Sequence, residues 1–122
     1  MVNDENSIDK LLTLDGQAIE RLKRDMGEDM PMVLEAYVES IDELLDDIAN
    51  RTAHTPDDDL HRWAHSLKSS AATIGAMKLS HLAAQMEHSY RDRRSIDVAA
   101  RLLAMQGEYL LVGADLKKLV ID

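Results

Sequence analysis

The chain has 122 residues, 45% hydrophobic and 30% charged, which suits one compact core rather than two and rules out a disordered polymer. It has no cysteine, which excludes disulfides, thiolate metal sites and a thiol nucleophile and fits a reducing compartment. A formal charge of −9 argues against nucleic acid as a partner, because phosphate-backbone binding draws on clustered Lys and Arg. The first ten residues, Met1 to Lys10, are polar and carry no signal-peptide apolar run. No stretch approaches the ~20 apolar residues of a membrane span. The expectation is a cytoplasmic protein away from membranes, one domain over residues 1–122, with 1–12 loosely ordered.

In chain order, the first helix is expected to start at Asp15 as N-cap, with Ile19, Leu22 and Met26 on one side, and to stop at Gly27. A second runs from about Pro31 to Arg51. Val33, Tyr37, Ile41, Leu44 and Ile48 form its apolar stripe, with Asp42, Glu43, Asp46 and Asp47 largely off it as a solvated face. After a turn, Thr55 can cap a third helix, with Pro56 in its first turn and acids at its positive end. It continues to about Ile74, where Gly75 offers a left-handed cap. A fourth runs from about Met77 to Arg93, with Leu79, Leu82, Ala83, Met86 and Tyr90 inward. Ser95-Ile96-Asp97 opens a long last helix containing Leu102, Leu103, Met105, Leu110, Val112, Leu116 and Leu119. Gly107 and Gly113 weaken it by roughly 1 kcal/mol each and allow a bend. The fold expected is all-α: an antiparallel up-down four-helix bundle with an additional short N-terminal helix. The seven methionines read as core filler. The basic runs at Arg91, Arg93, Arg94 and at Lys117, Lys118 read as solvated helix ends. No heptad seam extends beyond the bundle, so a monomer is expected.

Plotted at about 100° per residue, the third helix separates cleanly. Leu60, Trp63, Ala64, Leu67, Ala71 and Ile74 share one sector, while His61, Arg62, His65, Lys68, Ser69 and Ala72 fall on the other side. His65 lies about 140° from the apolar centre, so it is a surface residue. Lys68, three residues on, and Arg62, three back, can both reach over its ring. Ser69 and Ala72 are small and keep the surface low enough for a partner to approach. Neutral imidazole is the nucleophilic form, and flanking cations favour it. The same cations would stabilise phosphoryl oxygens, and phosphoryl transfer needs mainly positioning and charge stabilisation.

The stretch Ala64-His65-Ser66-Leu67-Lys68-Ser69-Ser70-Ala71, followed by Gly75-Ala76 and Leu79, resembles the histidine-containing phosphotransfer (HPt) family. It matches the pattern H-x-L-K-[GS]-S-[SA]-x-x-[LIV]-G-A-x-x-L. The resemblance implies a four-helix bundle and a phosphorelay intermediate without kinase activity. His65 would accept a phosphoryl group from a receiver-domain aspartate, often on a hybrid sensor kinase, and pass it to a response-regulator aspartate. The receivers would supply the acidic pocket and Mg²⁺, leaving no cofactor or metal on this chain. By the same resemblance Lys68 is the lysine beside the phosphohistidine, and Ser69 stands where many members have glycine. Arg62, Ala72 and Arg91 would help dock the receiver. Glu87 stands where some members have a glutamine that holds the imidazole tautomer; a carboxylate there can accept an N–H and would favour the protonated ring. Gln85 is about 200° away around its helix and is not a replacement.

Other readings fit less. A metal site from His61 and His65 with His81 and His88 lacks the H-E-x-x-H motif, because Arg62-Trp63-Ala64 separates the first pair. Nothing in the sequence gathers two carboxylates in a cleft. A helical adaptor that binds receiver-like partners without phosphotransfer is the alternative.

Overall fold

The computed structural model describes residues 12–91 and 97–121, the side chains of residues 90, 91 and 119–121 excepted. Among the described residues the chain is helical and has no strand: α1 (Gly16–Met26), a 3₁₀ turn (Gly27–Asp29), α2 (Met30–Ala49), α3 (Asp57–Thr73), α4 (Met77–Arg91) and α5 (Val98–Ile121). None of these helices is long and apolar enough to cross a membrane.

The ends of the helices follow local chemistry. Asp15 is extended and its carboxylate accepts the Gln17 N–H at 3.0 Å, capping α1. Gly27 closes that helix with a positive φ of 55°. α3 departs from expectation at its start: Pro56 occupies the cap position, and the Thr55 hydroxyl accepts the Thr52 N–H at 2.9 Å inside the preceding turn. A hydroxyl used to tighten that turn is not available to the helix. At the other end of α3, the Ala76 N–H reaches Ala71 O at 2.8 Å and the Gly75 N–H reaches Ala72 O at 3.0 Å. This paired cap needs a left-handed residue, and Gly75 supplies it at φ 80°. The Asp97 carboxylate accepts the Ala100 N–H at 3.0 Å and starts α5. Ser95, Ile96, Arg93 and Arg94 lie outside the described residues. α5 continues without interruption through Gly107 and Gly113.

α2 packs on α3, α3 on α4, α4 on α5, and α5 back on α2, which closes a ring around one core. Ile41, Ile48, Leu67, Ile74, Leu79, Met86, Met105 and Val112 are fully buried within it. Met30 also lies inside, whereas Met26 and Met32 are exposed, so the methionines divide between core and surface. Met26, the last residue of α1, leaves the expected stripe of Ile19 and Leu22. Leu103 and Leu110 face outward because α5 is apolar on two sides. α1 lies against the start of α2 and is tied to the α3–α4 turn, where the Asp15 N–H donates to Gly75 O at 2.7 Å.

Candidate functional site

α3 and α4 form the most extensive helix pair of the molecule, and the candidate site lies on their shared outer edge. Ala64, Leu67 and Ala71 are completely buried and lock α3 in rotation. That rotation sends His65 outward, with 57% of its side chain exposed. Its ring is not loose. Nδ1 lies 3.1 Å from Glu87 Oε2, so Nδ1–H donates to the carboxylate. Donation from Nδ1 leaves Nε2, the nitrogen farther from the backbone, with its lone pair free.

Glu87 is buried at 5% exposure and satisfies its charge on α3. Lys68 Nζ donates to Oε1 at 3.1 Å and lies 2.9 Å from Oε2. Burial alone would raise the carboxyl's affinity for a proton. The hydrogen bonds and charges of Lys68 and His65 outweigh burial and hold the Glu87 pKa below its ordinary 4.5. Glu87 therefore remains a carboxylate between a cation and an imidazole. The Ser80 hydroxyl donates to Lys68 O at 2.9 Å and pins the backbone of α3 to α4 beneath the site.

The remaining sequence candidates distribute unevenly. Ser69 and Ala72 are exposed on the same flank as His65 and leave the surface low. Arg62 does not reach over the imidazole; its guanidinium turns back to Asp59 at 3.3 Å, one helical turn toward the N-terminus. Lys68 likewise serves the carboxylate below rather than the ring directly. The side chain of Arg91 lies outside the described residues. His61 stacks beside His65, centroids 6.4 Å apart and planes within 12°. Gln85 is directed elsewhere: its amide bonds His81 at 3.2 Å and accepts from the Arg101 guanidinium of α5. Among the described residues no group of three or more His, Asp or Glu gathers as a metal site.

Sequence reasoning did not anticipate the Lys68–Glu87 bond or the Ser80 tie. A signal for both exists. Folding the chain back about Gly75-Ala76 sets residues with numbers summing to about 152 opposite one another. This reflection pairs His65 with Glu87 and places Ser80 within a turn of Lys68.

A sequence-family comparison matches residues 32–120 to the family described as Hpt domain. The chain belongs to the Hpt domain family. As such it is a phosphotransfer-type protein of phosphorelay signalling. The fold agrees with that of another Hpt protein. The crystal structure of histidine-containing phosphotransfer protein B (HptB) from Pseudomonas aeruginosa PAO1 matches with a TM-score of 0.80 at 24% identity, covering 87% of this Hpt chain and 92% of that one. A comparison with curated protein sequences finds no match.

Proposed function

We propose that His65 is the phospho-accepting residue of a single Hpt domain, taking a phosphoryl group from a receiver aspartate and returning it to another. One observation supports this above the rest: an exposed imidazole whose Nδ1–H is held by a buried carboxylate, which leaves the lone pair on Nε2. In the forward step the Nε2 lone pair attacks phosphorus, the N–P bond forms, and the receiver's acyl-phosphate bond breaks with its carboxylate leaving. The ring then gains positive charge, which Glu87 stabilises through Nδ1–H. Lys68 offsets the carboxylate, and its remaining N–H is available to a phosphoryl oxygen. Ser69 and Ala72 keep the approach clear.

The donors and acceptors are receiver domains, of a hybrid sensor kinase and of a response regulator. Mg²⁺ belongs to the receiver, and this chain acts as a carrier without kinase activity of its own. The ring of neighbouring helices is read as an up-down antiparallel bundle with α1 added across it, and the setting as the cytoplasm. The test is to mix the protein with a phosphorylated receiver and Mg²⁺. A label that is acid-labile and base-stable is expected on the wild type, and none on His65→Gln. Equal labelling of His65→Gln overturns the reading. Receiver binding without any label transferred supports a non-catalytic adaptor instead.

A further inference from the structure

The imidazole of His61 stands beside that of His65 and is not used by the proposed phosphotransfer. The two residues lie one turn apart on α3, where helical geometry puts Cβ atoms about 5–6 Å from each other. Their ring centroids are 6.4 Å apart and their planes within 12°. His65 is exposed and His61 half-exposed, so solutes reach both rings.

His65 is already arranged as a metal ligand. Its Nδ1 lies 3.1 Å from Glu87 and donates to it, which leaves the lone pair on Nε2. A carboxylate behind the far N–H fixes the tautomer and makes the coordinating nitrogen more basic, as it does behind metal-bound histidines in general. The cations that flank the pair do not oppose a dication. Arg62 turns back to Asp59 at 3.3 Å, and Lys68 is paired with the buried Glu87 at 2.9 Å. The spacing is also close to what is needed. With metal–nitrogen bonds of ~2.1 Å, two imidazoles on one tetrahedral ion have centroids about 5 Å apart. The observed 6.4 Å closes when His61 turns about its broad ring torsion and shifts, while His65 stays on Glu87.

We propose that His61 and His65 form a two-histidine site for a borderline transition-metal dication such as Zn²⁺, and that the bound ion blocks phosphoryl transfer by occupying the Nε2 lone pair. The metal site stands apart from the phosphotransfer reading; the block rests on that reading. The lone pair that would bond phosphorus is the one that bonds the metal, so the two events exclude each other. Imidazole ligands suit Zn²⁺, Cu²⁺ and Ni²⁺, whereas Mg²⁺ takes oxygen ligands and keeps its waters. The Mg²⁺ of a receiver therefore does not compete for the pair. Among the described residues no third His, Asp or Glu completes a cluster, so water fills the remaining positions and the ion is exchangeable.

The experiment is calorimetric titration of the full chain with Zn²⁺ at neutral pH in a buffer that does not bind metal. Saturable binding in the micromolar range is expected. His61→Ala and His65→Gln should each weaken it by roughly tenfold or more, because each leaves a single imidazole. Glu87→Ala should weaken it by roughly 10- to 100-fold through loss of the supporting carboxylate. In the labelling assay with a phosphorylated receiver and Mg²⁺, Zn²⁺ at a saturating level should suppress labelling of the wild type. His61→Ala should label at the wild-type rate without Zn²⁺ and resist the same Zn²⁺ level. A wild type that shows no saturable heat up to millimolar Zn²⁺, or that binds no better than His61→Ala, overturns the site. Labelling equally sensitive to Zn²⁺ in wild type and His61→Ala overturns the block and places the inhibition on the receiver. A wild type that takes no label without Zn²⁺ overturns the phosphotransfer reading and the block with it, while the calorimetry still decides the metal site.

Discussion

Glu87 is where the proposed chemistry and the stability of the fold bear on a single side chain. Its carboxylate accepts Nδ1–H from His65 and pairs with Lys68 while nearly removed from water. Glu87→Gln keeps an acceptor for the imidazole, whereas Glu87→Ala removes it. A charge-assisted hydrogen bond contributes about 1.5–3 kcal/mol, so Ala should slow phosphoryl transfer by roughly 10- to 100-fold and Gln by much less. Single-turnover transfer from a labelled receiver measures this. The pH dependence has a definite sign. The folded carboxyl has its pKa below 4.5, so the unfolded chain takes up that proton first. Its stabilising effect is complete above the ordinary carboxylate range and drains away as pH falls below about 4.5. In denaturant titrations across that range, Glu87→Gln should lose less stability than the wild type; an equal loss would show that the Lys68–Glu87–His65 arrangement is energetically idle. Gly75 is the second residue of this kind. A Cβ there would lie 2.7 Å from Asp15 O, on a backbone at φ 80°. Gly75→Ala should therefore destabilise by about 2–4 kcal/mol, combining left-handed strain with overpacking. Gly27→Ala has open space around it but sits at φ 55°, ψ −126°, outside the left-handed helical well, and should lose about 1–3 kcal/mol by urea denaturation. His65, Lys68 and Ser69 were legible in the sequence because helical periodicity alone separates them from Leu67 and Ala71. The docking of Asp15 on Gly75 was not, since it joins residues 60 positions apart.

The helices themselves differ in how well periodicity describes them. α3 presents one apolar side, and its buried Leu60, Ala64, Leu67 and Ala71 match the spacing from which it was read; α1 buries Ile19 and Leu22 as expected but adds Ala18 and leaves Met26 exposed. α2 was expected from about Pro31 to Arg51 and spans Met30–Ala49; of the anticipated stripe Ile41 and Ile48 are buried and Val33, Tyr37 and Leu44 only partly, while Leu34 and Leu45 beside it are buried. A stripe defined by five residues cannot fix a helix's rotation when three neighbours pack around it. α5 was the least legible, because a helix apolar on two sides has no single direction in its pattern. It also holds an anomaly that no spacing rule exposes. Glu108 is buried at 6% exposure, and among the described residues its Oε1 has no hydrogen-bond partner. An unsatisfied buried carboxylate oxygen opposes folding. Glu108→Met preserves length and helix propensity and should raise stability by about 1–2 kcal/mol in urea denaturation. A loss of stability instead would mean that Glu108 has a partner in solution. The neighbouring Tyr109 illustrates the satisfied case. Burial, followed by the Asp42 and Asp46 carboxylates, raises its pKa above 10.0, and its hydroxyl donates to Asp42 across the α2–α5 contact.

At the scale of the molecule, charge is segregated around the ring of helices. α2 carries Glu35, Glu39, Asp42, Glu43, Asp46 and Asp47 with no Lys or Arg among its residues. It stands across the ring from α4, so this acidic side faces away from the edge that holds His65 and Lys68. The separation leaves the candidate site open to an acidic partner despite the overall −9. It also concentrates self-repulsion on one helix, and places Asp46 and Asp47 at the negative end of that helix's dipole. Arg51 offsets this in part by donating its guanidinium to Ile48 O at 2.9 Å. Screening should therefore stabilise the fold. Raising ionic strength from about 0.01 M to about 0.15 M shortens the Debye length from roughly 30 Å to 8 Å. The Lys68–Glu87 pair is sheltered and changes little, whereas repulsion along α2 is largely removed. Tm at neutral pH should rise by a few degrees, equivalent to on the order of 1 kcal/mol at this size. Asp47→Lys should reproduce part of that gain without salt. It complements the dipole and places a cation four residues after Glu43, contributing about 0.5–1 kcal/mol. Its Tm should respond less to added salt than the wild type's. If the wild-type Tm instead falls with salt, favourable ion pairs outweigh the repulsion along α2, and the charge segregation is stabilising rather than tolerated.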